Sequence, residues 1–443
     1  MGIQNFPPSL QAIIQQGFLD REFEQALTSR LGYRAVADRE KFSVGIGETL
    51  TKTRAGLKPS VTIPLAPATN TNLDNGLTPA YFAIEQYTIT LNQYAATTDL
   101  NMVTSRVGIA DQFLLNAAIN GEQAARSLDE LARNWLFNAY FGGNTRVRVT
   151  LTAPGPAVAV DDIRGFQMGF VNGVQMPISS INPLGVTVGS DIYTLVGAVA
   201  DVSNVSTAPN GISGVLTFSG NVTDSDATAL NTVTAATASA IVRPNGRLNT
   251  SQLVGGLTPD ILDMSTLLNA VALLRLNAVP EIDGAFNCYL DPVSARQLFS
   301  DEAFRQLFTG ATSANQVFKR GMVNDFLGLR FIPTTEAYVQ SFPSVSGAMV
   351  RRPIVCGKGA LIEGDFAGMA AEDVRPPDSI VTLIDDVCMV TREPLDRLQQ
   401  IIAQSWYWIG GFCVPSDVTT NPLTIPTSTN STYKRAVMVE HLG

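Results

Sequence analysis

The side chains that most often carry catalysis or bind metals are few in this sequence. Among 443 residues there is a single histidine, His441. The Ser-His-Asp triad, the Cys-His pair and the histidine-rich metal site each require an imidazole beside their other groups. A lone histidine therefore argues against most hydrolytic chemistry and against histidine-based metal sites.

Cysteine chemistry is also disfavoured. Four cysteines are spaced 68, 32 and 25 residues apart, each within an apolar stretch and none in a CxxC pair: Cys288, Cys356, Cys388 and Cys413. Isolated cysteines in apolar sequence are usually small buried hydrophobes in thiol form. We expect free, buried thiols rather than a zinc site or a disulfide framework.

The sequence Gly357-Lys358-Gly359 suggests a phosphate-binding loop. A GxxxxGK[ST] loop would need glycine in place of Arg352 and Ser or Thr in place of Gly359, and a dinucleotide fingerprint would need glycine in place of Ile362. Both patterns fail, so these residues predict a turn between two strands.

Neighbouring carboxylates could bind a hard cation, and the chain has three such pairs: Asp161-Asp162, Glu372-Asp373 and Asp385-Asp386. Adjacent residues of a strand point to opposite faces, and the spacing places no third oxygen ligand beside any pair. We therefore expect solvated or arginine-paired carboxylates, with no metal and no cofactor.

The charge balance limits the partners of the chain. Thirty Lys plus Arg stand against 39 Asp plus Glu, a formal net charge of −9, which disfavours sequence-independent coating of nucleic acid but allows loose contact. None of the six lysines lies between Lys58 and Lys319, so no polybasic segment is available for a membrane. The sequence MGIQNFPPSL lacks the plan of a signal peptide, and no apolar run is long enough to span a bilayer. We expect a cytosolic chain.

The N-terminal segments predict elements that need a neighbour. Residues 10–31 form a broken amphipathic pattern that includes Phe18 and Phe23, and such an arm has little core of its own. Two β-like runs, 43–66 and Tyr81 to Tyr94, flank a polar tip, and strands of about 15 residues would reach about 50 Å. A two-stranded ribbon of that length is marginal unless another surface covers it. The missing surface is expected from another subunit.

The rest of the chain predicts an α+β fold without a βαβ repeat. Apolar spacing predicts a helix over Ile109 to Tyr140, about 48 Å long, with Trp135 in the apolar stripe and Asp129, Glu130 and Arg133 away from it. The 78 residues of 165–242 contain no Lys, Arg or Glu, and their short apolar runs and turn signals predict a small β-barrel or sandwich inserted at 144–249.

The order of these segments resembles that of tailed-bacteriophage major capsid proteins of the Hong Kong 97 fold. AFNCYLDPVSARQLFSDEAFRQLF is similar to the family's strand, proline and helix, and FKRGMVNDFLGLRFIPT resembles its glycine-punctuated hairpin and strand. PIVCGKGALIEGDFAG and REPLDRLQQIIAQSWYWIGGFCV look like the late segment, where a Gly-x-Gly-Ala turn precedes the closing strands. The segment 144–249 looks like the extra β domain of some short-tailed phage coat proteins.

The resemblance implies a domain organisation that follows the chain. Its parts are an N-terminal arm (1–42), an extended hairpin loop (43–100), a peripheral domain with the spine helix (101–143 and 370–443), an inserted β domain (144–249) and an axial domain (250–369).

The resemblance also implies a function. It implies a non-enzymatic coat protein that forms hexamers and pentamers of an icosahedral head around double-stranded DNA, assembled in the bacterial host cytoplasm and located in the virion. Its partners would be itself, a separate scaffolding protein, since no long charged N-terminal extension is present, and a portal protein; a decoration protein is left open, and no membrane is involved. Candidate inter-subunit contact residues share a place in the arm or the hairpin: Lys52, Arg54, Lys58, Phe18 and Phe23.

Two features qualify the resemblance. Some relatives join subunits covalently through a lysine and an asparagine, but the sequence has no asparagine from Met369 to Ser416, so we expect non-covalent contacts. The residues alone leave open two other classes of protein, a secreted or surface β-rich adhesin and a carboxylate glycosidase that needs no histidine. The missing signal sequence and unpaired cysteines disfavour the adhesin.

Overall fold

The structure of the protein is a computed structural model. It describes residues 32–42, 49–55, 84–101, 109–171, 174–203, 211–247, 260–304, 325–326, 328–342, 348–366, 381–384, 387–392, 401–417 and 433–443. The predicted arm helix with Phe18 and Phe23, the residue Lys58, the tip of the hairpin and the pairs Glu372-Asp373 and Asp385-Asp386 lie outside the described residues.

Helices and strands alternate irregularly along the chain. Within the described residues the helices are α1 (Ile109–Tyr140), α2 (Met264–Leu276) and α3 (Pro292–Ser300), with 3-10 turns at Tyr33–Val36 and Pro244–Gly246. The strands are β1 (Ala37–Phe42), β2 (Thr49–Ala55), β3 (Ile84–Thr90), β4 (Asn92–Asn101), β5 (Asn144–Arg146), β6 (Gly155–Val160), β7 (Met168–Val171), β8 (Val174–Pro177), β9 (Leu184–Val188), β10 (Asp191–Ala200), β11 (Gly214–Val222), β12 (Thr232–Ala235), β13 (Ile241–Val242), β14 (Phe286–Leu290), β15 (Asp325–Phe326), β16 (Leu329–Pro333), β17 (Tyr338–Phe342), β18 (Ala348–Arg352), β19 (Ile354–Cys356), β20 (Leu361–Phe366), β21 (Val381–Ile384), β22 (Val387–Arg392), β23 (Ile401–Cys413), β24 (Ala436–Val439) and β25 (His441–Leu442).

The chain divides into two compact units, each assembled from segments that are distant in sequence. The first unit comprises Met1–Thr51, Thr88–Trp135 and Leu361–Cys413. The second comprises Lys52–Tyr87, Leu136–Ala360 and Val414–Gly443. The mixture of helices and mostly antiparallel sheets confirms the α+β class expected from the sequence.

Helix α1 has the bounds that its apolar spacing predicts. Its buried residues are alanines together with larger apolar side chains: Ala117, Ala124, Ala125, Ala132 and Ala139 with Leu128, Leu136, Phe137 and Tyr140. The predicted face was wrong at three positions, because Asp129 and Arg133 are 4% and 7% exposed whereas Trp135 is 43% exposed. Asp129 is buried because its carboxylate accepts hydrogen bonds from the backbone of the 3-10 turn.

The main sheet of the first unit is built around β23. Its strand order is β1-β20-β23-β22-β21, with β4 also paired to β23. Gly411 in β23 permits a close approach, because a Cβ at this position would lie 2.0 Å from the carbonyl oxygen of Thr90. Glycine at position 411 thus allows close packing between strands.

The strand predicted over Tyr81 to Tyr94 is interrupted at Leu91. Strand β3 forms a two-stranded sheet with β2, whereas β4 pairs along β23 from Asn92 opposite Gly410 to Asn101 opposite Ile401. The more buried side chains lie at odd positions up to Leu91 and at even positions from Tyr94, so the alternation shifts by one residue where the strand changes partner.

Gln404 of β23 is buried in this sheet, and its side-chain amide lacks partners in the part of the chain that the structure describes. The residue is 0% exposed, and neither its Oε1 nor its Nε2 has a hydrogen-bond partner within the described residues. The hydroxyl of Thr391, its register partner in β22, is buried without a partner in the same part of the chain. A buried amide without partners costs free energy.

We expect Gln404→Met to raise the free energy of unfolding by about 1 kcal/mol, because it removes the unsatisfied amide and nearly keeps the volume. Urea unfolding followed by fluorescence measures the change. The matched control is Gln123→Met, which removes the Oε1 that accepts a 3.2 Å hydrogen bond from Trp406 Nε1 and should not stabilise. A loss of stability in Gln404→Met would contradict the prediction.

A second sheet, of the second unit, has the order β13-β24-β19-β14-β16-β15. Helix α2 packs on it through a core that includes Leu267, Val271, Leu274, Phe286 and Leu290. Asp263 is the N-cap of α2, since its side chain accepts a 2.8 Å hydrogen bond from Thr266 N.

The segment after α1 forms a closed antiparallel barrel. The strand order is β5-β12-β9-β10-β11-β6, and a bridge between Val147 and Val160 joins the two ends of the sheet. Closure removes open strand edges. The interior is filled by buried apolar side chains, including Val158, Val186, Leu195, Leu216, Phe218 and Val233. Of the two predicted architectures, the structure has the barrel.

Glycines allow α1 to continue into the barrel. Gly143 N donates a 2.8 Å hydrogen bond to Arg164 O, which brings two backbone segments together. A Cβ on Gly165 would lie 2.1 Å from Gly143 N and 2.4 Å from Gly142 C, and Gly165 has φ +84°. Both the contact and the backbone conformation therefore require glycine at position 165.

Candidate functional site

The sequence-predicted contact residues that the structure describes are Lys52 and Arg54, both on β2. Arg54 Nη1 donates a 3.0 Å hydrogen bond to Asp417 Oδ1, and its Nη2 lies 3.4 Å from Gly359 O. Arg435 Nε donates to the same Asp417 oxygen at 3.3 Å. One end of β2 is thereby fixed within its own chain, and the inter-subunit role of the five predicted residues stays a prediction.

The residues Gly357-Lys358-Gly359 form a turn after β19, as the sequence predicted. Lys358 N donates to Pro280 O at 2.9 Å, and Gly359 has φ +74°. A Cβ on Gly357 would lie 2.3 Å from Val279 Cγ1. The glycines therefore serve close packing and turn geometry.

The only histidine lies beside a serine, which the sequence had not suggested. Ser294 Oγ is 2.7 Å from His441 Nε2, and both residues are 0% exposed. Asp291 contacts Ser294 Oγ and not the imidazole, whose Nδ1 faces Leu442 O at 3.0 Å. In a nucleophilic triad the acid orients the imidazole and the serine is accessible. This arrangement has neither property.

The neighbouring carboxylates Asp161 and Asp162 are arginine-paired, as expected. Asp161 pairs with Arg146, and Asp162 Oδ2 lies 2.6 Å from Arg164 Nη2. The Asp162 charge raises the pKa of Arg164 although burial opposes it. In the described residues no group of His, Cys, Asp and Glu side chains could hold a metal ion.

All four cysteines are buried and free, as the sequence predicted. Burial raises the pKa of the Cys288 and Cys356 thiols well above the ordinary value. A thiol that stays protonated is a weak nucleophile and a weak metal ligand. These side chains therefore act as small apolar groups.

Two carboxylates hold the 3-10 turn Tyr33–Val36, and sequence reasoning missed both. Glu363 accepts hydrogen bonds of 3.0 Å from Arg34 Nε, and both side chains are 1% exposed. Asp129 accepts from Tyr33 N and, at 3.1 Å, from Arg34 N. Burial raises the pKa of Asp129, although these backbone donors lower it. The partners are about 95 to 330 residues apart, so spacing gives no signal.

No protein-family model matches the chain, and no curated protein sequence matches it. Solved structures do match. The capsid of Ralstonia phage GP4 is 13% identical, with 93% of this chain and 88% of that chain covered and a TM-score of 0.50. The capsid structure of cyanophage P-SCSP1u is 11% identical, with 93% and 88% covered and a TM-score of 0.46. The cyanophage Pam1 capsid is 12% identical, with 89% and 85% covered and a TM-score of 0.42.

The likeness to the GP4 capsid shows that the two chains share a fold over most of their lengths. The α+β fold of the Hong Kong 97 type, which the order of sequence segments predicted, is thereby confirmed. An identity of 13% supports a conclusion about the fold alone.

Proposed function

We infer that the chain is a major capsid protein that assembles into hexamers and pentamers of an icosahedral phage head around double-stranded DNA. The observation that carries this proposal is the fold shared with the GP4 capsid over 93% of the chain. The domain organisation predicted from the sequence, with an inserted β domain at 144–249, belongs to the same proposal.

The surface of the described residues supports a role in assembly. Leu115 and Ile119 lie one turn apart on α1 and are 59% and 52% exposed. On the barrel, Ile192 and Val199 are 78% and 67% exposed in a segment without lysine, arginine or glutamate. Contacts between copies would remove this apolar surface from water.

The charge and composition support the rest of the proposal. A net charge of −9 suits a shell that contacts packaged DNA loosely, without binding it tightly. The proposed partners are further copies of the chain, a separate scaffolding protein and a portal protein, with a decoration protein left open. The proposed location is the virion, and the proposed role is structural rather than enzymatic. In the described part of the chain no helix is long and apolar enough to cross a membrane.

The test is the assembly state of the expressed full chain. We expect sedimentation far above the 47.3 kDa of one chain and closed shells or ring-shaped capsomers in negative-stain images. Because the proposal includes a separate scaffolding protein, a stable monomer would contradict only assembly without a scaffold. A monomer that cleaves glycosides would contradict the capsid proposal and favour the carboxylate glycosidase.

A deletion tests the hairpin separately. We expect removal of residues 57–82 to abolish shells, because the predicted ribbon would lose its contact with the adjacent subunit, while the circular-dichroism melt shows a folded chain. Deletion of residues 70–76 is the matched control and should only shorten the polar tip. Normal shells from the 57–82 deletion would show that the hairpin is dispensable.

A further inference from the structure

A hydrogen-bond network of three side chains and one backbone carbonyl connects β25 to the first turn of α3. Leu442 O lies 3.0 Å from His441 Nδ1, and His441 Nε2 lies 2.7 Å from Ser294 Oγ. Ser294 Oγ in turn contacts Asp291 Oδ1. His441 and Ser294 are 0% exposed and Asp291 is 3% exposed, so water cannot easily take the place of any member.

Asp291 acts as an acceptor in this hydrogen-bond network. It is the N-cap of α3, and its Oδ2 accepts hydrogen bonds from Val293 N at 3.1 Å and Ser294 N at 3.4 Å. Arg351 Nη1 forms an ion pair with the same oxygen. A carboxylate in this setting offers lone pairs and no proton, so the Ser294 hydroxyl donates to Asp291.

The remaining two contacts then each require a proton from the ring. Because the Ser294 proton is directed at Asp291, the contact with His441 Nε2 is satisfied only by an Nε2–H donor. Leu442 O is a carbonyl, so the other contact requires an Nδ1–H donor. A neutral imidazole carries one of these protons and an imidazolium carries both. The three contacts therefore need three protons, whereas a neutral ring and the serine supply two.

We propose that Asp291, Ser294 and His441 form a buried proton-binding site that takes up one proton on the imidazole under acidic conditions and thereby completes all three hydrogen bonds. The step forms an N–H bond on the imidazole, breaks an O–H bond of a hydronium ion from solvent and leaves water. The completed hydrogen-bond network links β25 to α3, because both ring nitrogens of His441 then donate a hydrogen bond.

The groups around the ring set the pH at which the proton enters. Burial lowers the pKa of His441 to about 4, and the Arg351 charge also lowers it, whereas Leu442 O and the Asp291 charge raise it. Glu440, the preceding residue, is paired with Arg243 and Arg352. At neutral pH the ring is therefore neutral and one of the three contacts lacks its proton.

The folding equilibrium responds in a defined direction. In the unfolded chain the histidine titrates near its ordinary pKa of 6.5, above the folded value of about 4. The unfolded state therefore binds more protons as the pH falls from 6.5 to 4, and the chain loses stability in this window. Below the folded pKa this site contributes no further loss.

The experiment uses the full chain labelled with 15N only at histidine, observed by magic-angle-spinning NMR of the sedimented protein. Because there is one histidine, both ring signals belong to this site. We expect a neutral ring at pH 5.5, where a solvent-exposed histidine is mostly charged, and two protonated, hydrogen-bonded ring nitrogens once the pH falls below about 4.

Two variants test the role of the serine. Ser294→Ala removes the acceptor for Nε2–H, so the midpoint should fall by about one pH unit. Ser300→Ala on the same helix is the matched control, because the Ser300 hydroxyl bonds only to Arg296 O within the described residues, and it should leave the midpoint unchanged. If Ser294→Ala does not fold, the wild-type titration alone decides.

Four results would overturn the proposal. They are a ring already charged at pH 5.5, a ring that stays neutral below pH 3, a chain that unfolds before the ring is protonated, and a folded Ser294→Ala variant with the wild-type midpoint.

Discussion

Replacing Glu440 with glutamine will lower the free energy of unfolding by about 3–5 kcal/mol, because it leaves two buried guanidinium groups without their carboxylate. Glu440 is 0% exposed, with Arg243 Nε at 2.7 Å and Arg352 Nε at 2.8 Å. Arg352 also donates to Gln340 and lies 4.4 Å from the centre of the Phe141 ring. Equilibrium urea unfolding of the full chain measures the loss.

The matched control is Glu130→Gln, which breaks an ion pair with Arg133 in which the Glu130 side chain is 59% exposed. It should change stability by less than about 0.5 kcal/mol. Equal losses in the two variants would contradict the argument from burial.

Burial alone would raise the pKa of Glu440, but Arg243 and Arg352 hold it at about 2. The stabilisation by this charge is therefore present above pH 4.5 and is lost as the pH falls through 2.

Gly165→Ala is expected to destabilise the chain by about 3 kcal/mol or more, since the added methyl would overlap backbone atoms. The new Cβ would lie 2.1 Å from Gly143 N and 2.4 Å from Gly142 C. Neither backbone segment can move without disturbing the 2.8 Å hydrogen bond from Gly143 N to Arg164 O. Thermal unfolding monitored by circular dichroism gives the change in midpoint.

Two other glycines separate the sources of this loss. Gly284 has φ +85° and no atom within 4 Å of its Cβ position, so Gly284→Ala reports the backbone cost alone, about 1–2 kcal/mol. Gly220 has open space and no positive φ, and Gly220→Ala should be nearly neutral. If Gly165→Ala lost no more stability than Gly284→Ala, the overlap with Gly142 and Gly143 would not be the cause.

The sequence predicted the elements whose signals are local. The apolar period of α1 marks a helix from Ile109 to Tyr140, and one face is buried in the part whose burial the structure describes, from Leu115 onwards. Strand β14 was predicted because its residues are mostly apolar and Pro292 stops the strand shortly after Leu290. The buried cysteines were predicted from their apolar neighbours.

The features that the sequence did not reveal depend on partners distant in the chain. Asp129 looked like a solvent-facing helix residue until the backbone of Tyr33 and Arg34 provided its donors. The contact of Ser294 with His441 joins residues 147 positions apart. The local sequence pattern does not distinguish a buried charged side chain that is paired with a distant residue from one that is exposed to water.

The barrel has a consequence for how such chains can change in evolution. Asn144 in its first strand is the register partner of Thr234 in its last, so the chain enters and leaves the barrel at neighbouring positions, about 5 Å apart. Because the two flanking segments are this close, their positions do not depend on the length of the sequence between them. A gene could gain, lose or exchange the coding sequence for this region while the flanking helix and strands keep their places, which makes the site a natural point for recombination.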